Sequence, residues 1–261
     1  MPESGVHVHL PYPQLDEAFP FLVERRLNVE LFFSSDTLDR LEPEQLAAAA
    51  ARLHAAGIRT TIHAPFMDLS PGSFEPLLRE VTRRRFHQAM DAAALLRPRV
   101  VVFHPGYDKW RYGENRERWL AESIPLWREM VRRGEECDCL IAVENIFEEE
   151  PGTLLDLIRA VDSPRLRHCF DVGHWNLFGR VSLEEWFSLL GPYLAESHIH
   201  DNRGERDEHL PIGEGNVDTR LFFSLLERHA PDAVRTIEAH SREKLERALT
   251  NLAELTGNGP G

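Results

Sequence analysis

The chain lacks several features that would assign it to a special class of protein. Its 261 residues include only three cysteines, too few for a disulfide framework, which predicts a reducing compartment and a cytoplasmic location. Residues 1–10 contain no basic segment followed by an apolar one, so we expect no secretory leader. No apolar run approaches the roughly 20 residues that span a bilayer, so we expect no membrane partner.

Basic residues are scarce relative to acidic ones. The 30 Lys and Arg residues against 43 Asp and Glu residues give a formal net charge of −13. This excess disfavours nucleic acid and anionic membranes as partners, although it leaves room for a local basic groove. Because 42% of the residues are apolar and 28% are charged, as in ordinary globular proteins, we predict a folded chain.

The chain does contain a regular alternation of two patterns. Short apolar runs rich in β-branched residues are typical of strands that are buried on both faces. Such runs predict eight strands at 5–10, 27–33, 58–63, 99–104, 139–144, 166–171, 196–200 and 234–240. Amphipathic segments between them predict helices at 14–26, 42–57, 74–98, 114–134, 152–160, 182–191, 217–230 and 241–254.

Strict alternation of strands and helices predicts right-handed crossovers and a parallel sheet. Eight such units in about 250 residues are typical of a (β/α)₈ TIM barrel. We therefore predict an α/β protein with a single domain over 1–261 and a frayed tail at 255–261. An open, doubly wound sheet is the alternative, but it is disfavoured because no glycine-rich phosphate-binding loop follows a strand.

A histidine or a carboxylate closes each of the last six predicted strands. In this fold the C-terminal ends of the strands meet at one mouth, where active sites lie. Imidazole nitrogens and carboxylate oxygens together are ligands of Zn²⁺, Mn²⁺, Fe and Co²⁺. The pattern therefore predicts a metal centre formed by His63, His104, Glu144, Asp171, His200 and Glu238.

Three further candidate ligands follow strands six and seven, namely His174, Asp207 and His209. Because one ion takes about four to six ligands, nine ligands could serve two or three ions, with Glu144 as the expected bridge. The mid-strand His168 and His198 are predicted to be structural. His9, on strand one, is a weaker candidate for the mouth.

The loops beyond the strands offer candidate substrate contacts. Trp110 and Trp175 follow strands four and six and are predicted to wall the pocket. Arg203 and Arg206 lie in the loop after strand seven and are candidate phosphate clamps, with plain exposed loop charges as the alternative.

Several of these segments form ordered motifs: IHAPF at 62–66, FHPG at 103–106, AVEN at 142–145, FDVGH at 170–174 and IHDNRGERDEHLPIGEGNVD at 199–218. In these motifs, and over nearly its whole length, the chain resembles the xylose-isomerase-like TIM barrels. That superfamily contains sugar isomerases and epimerases as well as endonuclease IV. The resemblance implies an enzyme that depends on one to three divalent ions, which could be Zn, Mn, Co, Mg or Fe.

The sugar isomerase branch holds one ion with a Glu, Asp, His, Glu set, which the resemblance places at Glu144, Asp171, His200 and Glu238. The two glutamates would then move a proton next to a metal-polarised carbonyl, and His174 would hold a substrate hydroxyl. This branch implies a small-molecule substrate, either a sugar or a phosphate-bearing compound. Family members are often homo-oligomers, but no interface signature is visible in this chain.

The endonuclease IV branch uses three zinc ions, which the resemblance assigns to all nine positions. It implies a two- or three-metal hydrolase of a phosphodiester, a phosphate ester or an amide. Where that pattern has Asp-Arg-His, this chain has Asp207-Glu208-His209, and the added anion argues against DNA as the substrate. The flanking motifs favour the isomerase, the nine ligands favour the hydrolase, and a non-catalytic metal-binding barrel is the third alternative.

Overall fold

The computed structural model describes residues 5–255, so the predicted frayed tail at 255–261 lies almost entirely outside the described residues. Eight parallel strands pair in sequence order, and the last pairs with the first to close a barrel. They are β1 (Val6–Pro11), β2 (Asn28–Phe32), β3 (Thr60–His63), β4 (Val100–Phe103), β5 (Leu140–Glu144), β6 (Leu166–Asp171), β7 (Leu194–Ile199) and β8 (Val234–Ile237). The predicted single-domain (β/α)₈ barrel is confirmed.

Helices cover the outside of this barrel. They are α1 (Leu15–Arg25), α2 (Ser35–Asp39), α3 (Pro43–Ala55), α4 (Pro76–Leu96), α5 (Lys109–Tyr112), α6 (Arg116–Cys137), α7 (Gly152–Val161), α8 (Val172–Phe178), α9 (Leu183–Leu190), α10 (Thr219–His229) and α11 (Arg242–Leu255). The short α2, α5 and α8 were not predicted, because so few residues carry no readable apolar period. Each begins after a residue whose side chain accepts a hydrogen bond from a backbone N–H of the first turn, and these residues are Ser34, Asp108 and Asp171.

One predicted helix end was wrong. The helix predicted to stop at Gly134 continues to Cys137 as α6, and Asp138 ends it with a left-handed backbone (φ 54°). Gly134 is instead a packing position, because a Cβ there would lie only 3.1 Å from the carbonyl oxygen of Cys139. Glycine inside this helix therefore allows β5 to pack closely against it.

The core has two parts. The larger part lies between the strands and the helices and includes the fully buried rings of Trp119, Trp127 and Trp186. A smaller cluster is formed by strand residues alone, namely Val100, Val102, Ala142, Cys169, Ala195 and Val234. These small and branched side chains fill the interior of the barrel and leave its C-terminal end to polar groups.

The strand ends position the predicted site. β3, β5 and β6 end on His63, Glu144 and Asp171, whereas His104, His200 and Glu238 stand one residue beyond β4, β7 and β8. All six therefore lie at the same rim of the barrel. Within residues 5–255, no helix is both long enough and apolar enough to cross a membrane.

Candidate metal centre

The nine predicted ligands form one continuous network at the C-terminal mouth. Each imidazole lies within 3.8 Å of at least one carboxylate of the set, and these contacts link all nine side chains. Six of the nine are buried, namely His63, Glu144, Asp171, His200, His209 and Glu238. Buried ionisable groups at this density require mutual pairing or a bound cation.

Glu144 lies at the centre of this network. Its Oε2 is 3.2 Å from Nε2 of His63 and 3.3 Å from Nε2 of His104, and its Oε1 is 3.1 Å from Nδ1 of His174. Burial alone would raise its pKa, but the neighbouring imidazoles, His104 first, lower the pKa of Glu144 well below its usual value. Glu144 is therefore an ionised carboxylate with both oxygens engaged, which suits the predicted bridging position.

Two histidines are oriented by backbone carbonyl groups. Nδ1 of His63 lies 2.9 Å from the carbonyl oxygen of Ala64, and Nδ1 of His174 lies 3.1 Å from that of Asn145. Because a carbonyl oxygen only accepts, Nδ1 carries the proton in both rings. Nε2 faces Glu144 from His63 and Asp207 from His174, so it donates to these carboxylates while the rings are protonated. Loss of that proton would leave a lone pair on Nε2 for a metal ion.

A positive charge on these buried imidazoles would be costly without the neighbouring carboxylates. Burial disfavours a charged His63, yet its hydrogen bond with Glu144 raises the pKa of His63 to about 9. Burial likewise opposes charge on His174, but Asp171 and Asp207 raise the pKa of His174 well above its usual value. The mouth therefore attracts cations, and a divalent ion is the natural replacement for these protons.

Two buried nitrogens of the network have no hydrogen-bond partner among the described residues, namely Nδ1 of His200 and Nδ1 of His209. Buried polar atoms are rarely left unpaired, because each costs about 1–3 kcal/mol. Their rings stack in parallel, 3.9 Å apart, near Glu238 and Asp207. Ligand atoms of His200, His209 and Glu238 lie within 4.8 Å of one another, so this set fits a divalent ion.

Asp171 both caps a helix and faces another candidate metal ligand. Its Oδ1 accepts a hydrogen bond of 2.6 Å from the backbone N–H of His174 and so caps α8, while its Oδ2 lies 3.0 Å from Nε2 of His200. Asn145 holds the backbone of Asp171 through two hydrogen bonds of 2.9 Å. Asn145 was not predicted as a site residue, although the AVEN motif contains it.

The strand pattern also missed two residues in the centre of the site. His198, predicted to be structural, has its Nδ1 3.2 Å from Oε1 of Glu238 and 3.4 Å from Oε2 of Glu144. Glu30, in the apolar run of β2, pairs with His198 and with His9, which thereby reaches the mouth. The period of two along a strand could have found His198, since it places residues 198 and 200 on one face.

A cavity of about 950 Å³ opens above the network. Glu144 and Glu238 both line it, with His9, His63 and His174 beside them. Aromatic side chains line it as well, among them Phe32, Phe66, Phe147 and Phe178, and the ring of Phe66 stacks on that of His104. The lining therefore combines charged groups and metal ligands with rings that can contact the C–H faces of a small molecule.

The four predicted substrate contacts do not line this cavity within the described residues. Arg203 donates to Glu208 at 2.7 Å and, like Arg206, is exposed. Trp110 is 71% exposed, and the indole N–H of Trp175 is bonded to the carbonyl oxygen of Val181. The unpredicted helices turn these tryptophans away, because Trp110 lies on α5 and Trp175 on α8.

Two arginines of the described part of the chain, Arg111 and Arg242, line the cavity. Arg242 lies 3.9 Å from the ring centroid of Phe21 and pairs with Glu246, while Arg111 pairs with Asp108.

Comparisons with known proteins agree with this architecture. Residues 28–256 match the family model described as xylose isomerase-like TIM barrel. An uncharacterised protein of Methanocaldococcus jannaschii is 32% identical over 69% of this chain, and the match spans 64% of that relative. A probable endonuclease 4 of Mycobacterium leprae is 23% identical over 77% of this chain and 81% of its own length.

Solved structures show the same fold. The crystal structure of a D-tagatose 3-epimerase-like protein superposes with a TM-score of 0.84, at 26% identity, covering 97% of both chains. The family match covers most of this chain, including every strand from β2 to β8. The chain therefore belongs to the xylose isomerase-like TIM barrel family.

Proposed function

We propose that the protein is a divalent-metal-dependent isomerase or epimerase of a sugar or sugar phosphate. The observation that carries this proposal is that Glu144 and Glu238, two carboxylates of the candidate metal centre, line the same cavity. The likeness to a D-tagatose 3-epimerase-like protein supports it. Glu144, Asp171, His200 and Glu238 are the proposed ligands of the ion.

A divalent ion held by these residues would polarise a substrate carbonyl group and make the adjacent C–H acidic. Glu144 and Glu238 are the proposed acid and base that remove and return the proton. Burial alone would raise the pKa of Glu238, but His198 and other imidazoles lower it, so this carboxylate is ionised and able to accept a proton. His174 is the proposed partner of a substrate hydroxyl.

The cavity supports a small-molecule substrate. Its charged and aromatic lining residues match the two kinds of surface that a sugar offers, hydroxyl edges and C–H faces. Asp68, Asp108 and Asp207 line it together with Arg111 and Arg242. The lining formed by the described residues is therefore of mixed charge and lacks the uniformly basic surface that binds the phosphates of a nucleic acid.

A two- or three-metal hydrolase of a phosphodiester, a phosphate ester or an amide is the second candidate. It is favoured by the contacts outside the four-ligand set. His63 and His104 converge on Glu144, and Asp207 lies between His174 and His209. These contacts could hold additional Zn, Fe or Mn ions.

Metal content and proton exchange together test the proposal. Protein prepared without chelators would be assayed for metals per chain, then incubated with a panel of ketoses and ketose phosphates in D₂O. We expect a substrate to gain deuterium next to its carbonyl group, as detected by NMR and mass spectrometry. Glu238→Gln should lose this exchange by at least about a hundredfold, because the proposed base is gone.

Glu184→Gln is the matched control, because Glu184 is an exposed glutamate on α9. Full exchange in the Glu238→Gln protein would refute the proton-transfer role. Two or three ions per chain, together with hydrolysis of a phosphodiester or an amide and no exchange with any sugar, would instead support the hydrolase.

A further inference from the structure

A row of aromatic side chains continues from the cavity onto the rim of the barrel. Phe147 and Phe178 line the cavity, and their ring centroids lie 5.1 Å apart with the ring planes at 74°. Trp110 extends the row beyond the cavity, since its ring centroid lies 6.5 Å from that of Phe147 with the planes at 75°. We call these three residues the aromatic lip.

The aromatic lip is open to solvent. Trp110 is 71% exposed and Phe147 is 39% exposed, whereas the rings of Trp119, Trp127 and Trp186 are fully buried in the core. Exposed rings contribute little buried area to the stability of the barrel. Adjacent exposed apolar groups beside a cavity are instead typical of a surface that binds a ligand.

Ion pairs tie together the loops that carry the aromatic lip. Lys109 pairs with Glu149, and its Nζ lies 5.0 Å from the ring centroid of Trp110. Nε of Arg180 lies 3.6 Å from Oε1 of Glu149, and the backbone N–H of Arg180 donates to the carbonyl oxygen of Glu149 at 2.8 Å. The segments that follow β4, β5 and β6 are thereby linked, so the rings would lose little conformational freedom on binding.

The volume of the cavity also indicates a ligand larger than one sugar unit. Its 950 Å³ is near the upper end of the range of about 300–1,000 Å³ that is usual for small-molecule sites. A single sugar unit at Glu144 and Glu238 would fill only part of this space. A ligand with a second ring could extend from these carboxylates to the aromatic lip.

We propose that the aromatic lip is a second sugar subsite, and that the substrate is a glycosylated sugar whose second ring binds there. The inference rests on the proposed function, which supplies the class of the reacting unit. The C–H face of the second ring would pack on Phe147 and Trp110, because aromatic rings offer a large and rigid apolar surface. The charged groups of Lys109 and Glu149 beside Trp110 would bond the hydroxyls at its edge.

Binding of matched sugars tests this proposal without any assay of turnover. Protein prepared without chelators would be titrated in a calorimeter with two pairs, D-fructose against isomaltulose and D-glucose against isomaltose. In each pair the second sugar is the first with a glucose unit on its O6, so the carbonyl carbon stays free. We expect the glucosylated sugar of at least one pair to bind at least about tenfold more tightly, because the second ring adds a contact.

Trp110→Ala should reduce this advantage about 5–10-fold, whereas Trp110→Phe should keep most of it, because an aromatic face remains. Leu95→Ala is the matched control, since Leu95 is an exposed apolar residue of α4 that does not line the cavity. It should keep the full advantage. Acrylamide quenching of tryptophan fluorescence gives a second readout, because the bound disaccharide should shield Trp110 in the unmodified protein.

Equal affinities within both pairs would overturn the proposal, as would an advantage that survives in the Trp110→Ala protein. Dissociation of an oligomer by Trp110→Ala, with the advantage intact, would assign the ring to a contact between copies of the chain instead. Deuterium exchange into a free ketose together with equal affinities would overturn the aromatic lip alone. The absence of both binding and exchange with every sugar would overturn the proposed function as well.

Discussion

Gly173 shows, at the scale of single residues, how tightly the barrel packs around its histidines. A Cβ at this position would overlap the imidazole of His200. The ring of His200 in turn stacks on that of His209. The absence of one side chain therefore sets the position of two candidate ligands.

We predict that Gly173→Ala displaces His200 and lowers the affinity for Co²⁺ or Zn²⁺ at least about tenfold. Overpacking should also lower the free energy of unfolding by about 1–3 kcal/mol. Isothermal titration and urea denaturation would measure the two effects. Gly113→Ala is the control, because the nearest atom to its added methyl group would be Cβ of Lys109 at 3.8 Å. Unchanged metal affinity in the Gly173→Ala protein would contradict the prediction.

At the scale of elements, α8 begins inside the site. Asp171 closes β6, caps α8 with one oxygen and faces His200 with the other. The same strand-to-helix turn carries His174, whose backbone N–H donates to Oδ1 of Asp171. Local helix geometry and the candidate metal site therefore depend on one carboxylate.

Two substitutions should separate these roles. Asp171→Asn keeps a side-chain oxygen for the cap but removes the negative charge that pairs with His174 and His200, so it should lower the free energy of unfolding of the metal-free protein. Asp171→Ala removes the cap as well and should cost about 1 kcal/mol more than Asp171→Asn. Both should weaken metal binding, because each removes the charge of the candidate ligand. Equal stability of the two metal-free variants in urea would show that the cap contributes nothing.

At the scale of the whole molecule, buried neutral histidines link the stability of the barrel to pH. His168 donates from Nδ1 to the carbonyl oxygen of Val143 and accepts from the indole N–H of Trp186. These two bonds define its neutral tautomer, and burial lowers the pKa of His168 from 6.5 to about 4. The predicted structural role of this residue agrees with its position between β5 and α9.

The unfolded chain takes up a proton at this histidine near pH 6.5, whereas the folded barrel does so only near pH 4. Stability is therefore complete above pH 6.5 and falls as the pH drops toward 4, by up to about 1.4 kcal/mol per pH unit for this one group. We predict that His168→Gln lowers the overall stability but reduces this slope. Urea denaturation across that pH range would measure it.

His54→Gln, at an exposed position of α3, is the control and should leave the slope of the unmodified protein unchanged. If the unmodified protein and the His168→Gln variant lost stability in parallel on acidification, the neutral state of the buried ring would be refuted.

Much of the barrel and of its site could be predicted from the residues alone. The strand count, the sheet order and the convergence of His63, Glu144 and Asp171 at one rim were predicted correctly, because each depends on a local period and a regular topology. The positions of the candidate substrate contacts in the loops could not be predicted in this way. These residues are Trp110, Trp175, Arg203 and Arg206. The course of each loop depends on caps such as Asp108 and on pairs such as Arg203 with Glu208.

The amino-acid sequence by itself determined which residues close the strands and which elements alternate, since neighbours along the chain decide both. Only the tertiary structure decided which mid-strand groups meet inside the barrel. Glu30 and His198 lie 168 positions apart, and each stands in an apolar run whose period describes burial without naming a partner. Closure of the barrel brings β2 and β7 face to face, so the contact between these two residues is a property of the folded sheet.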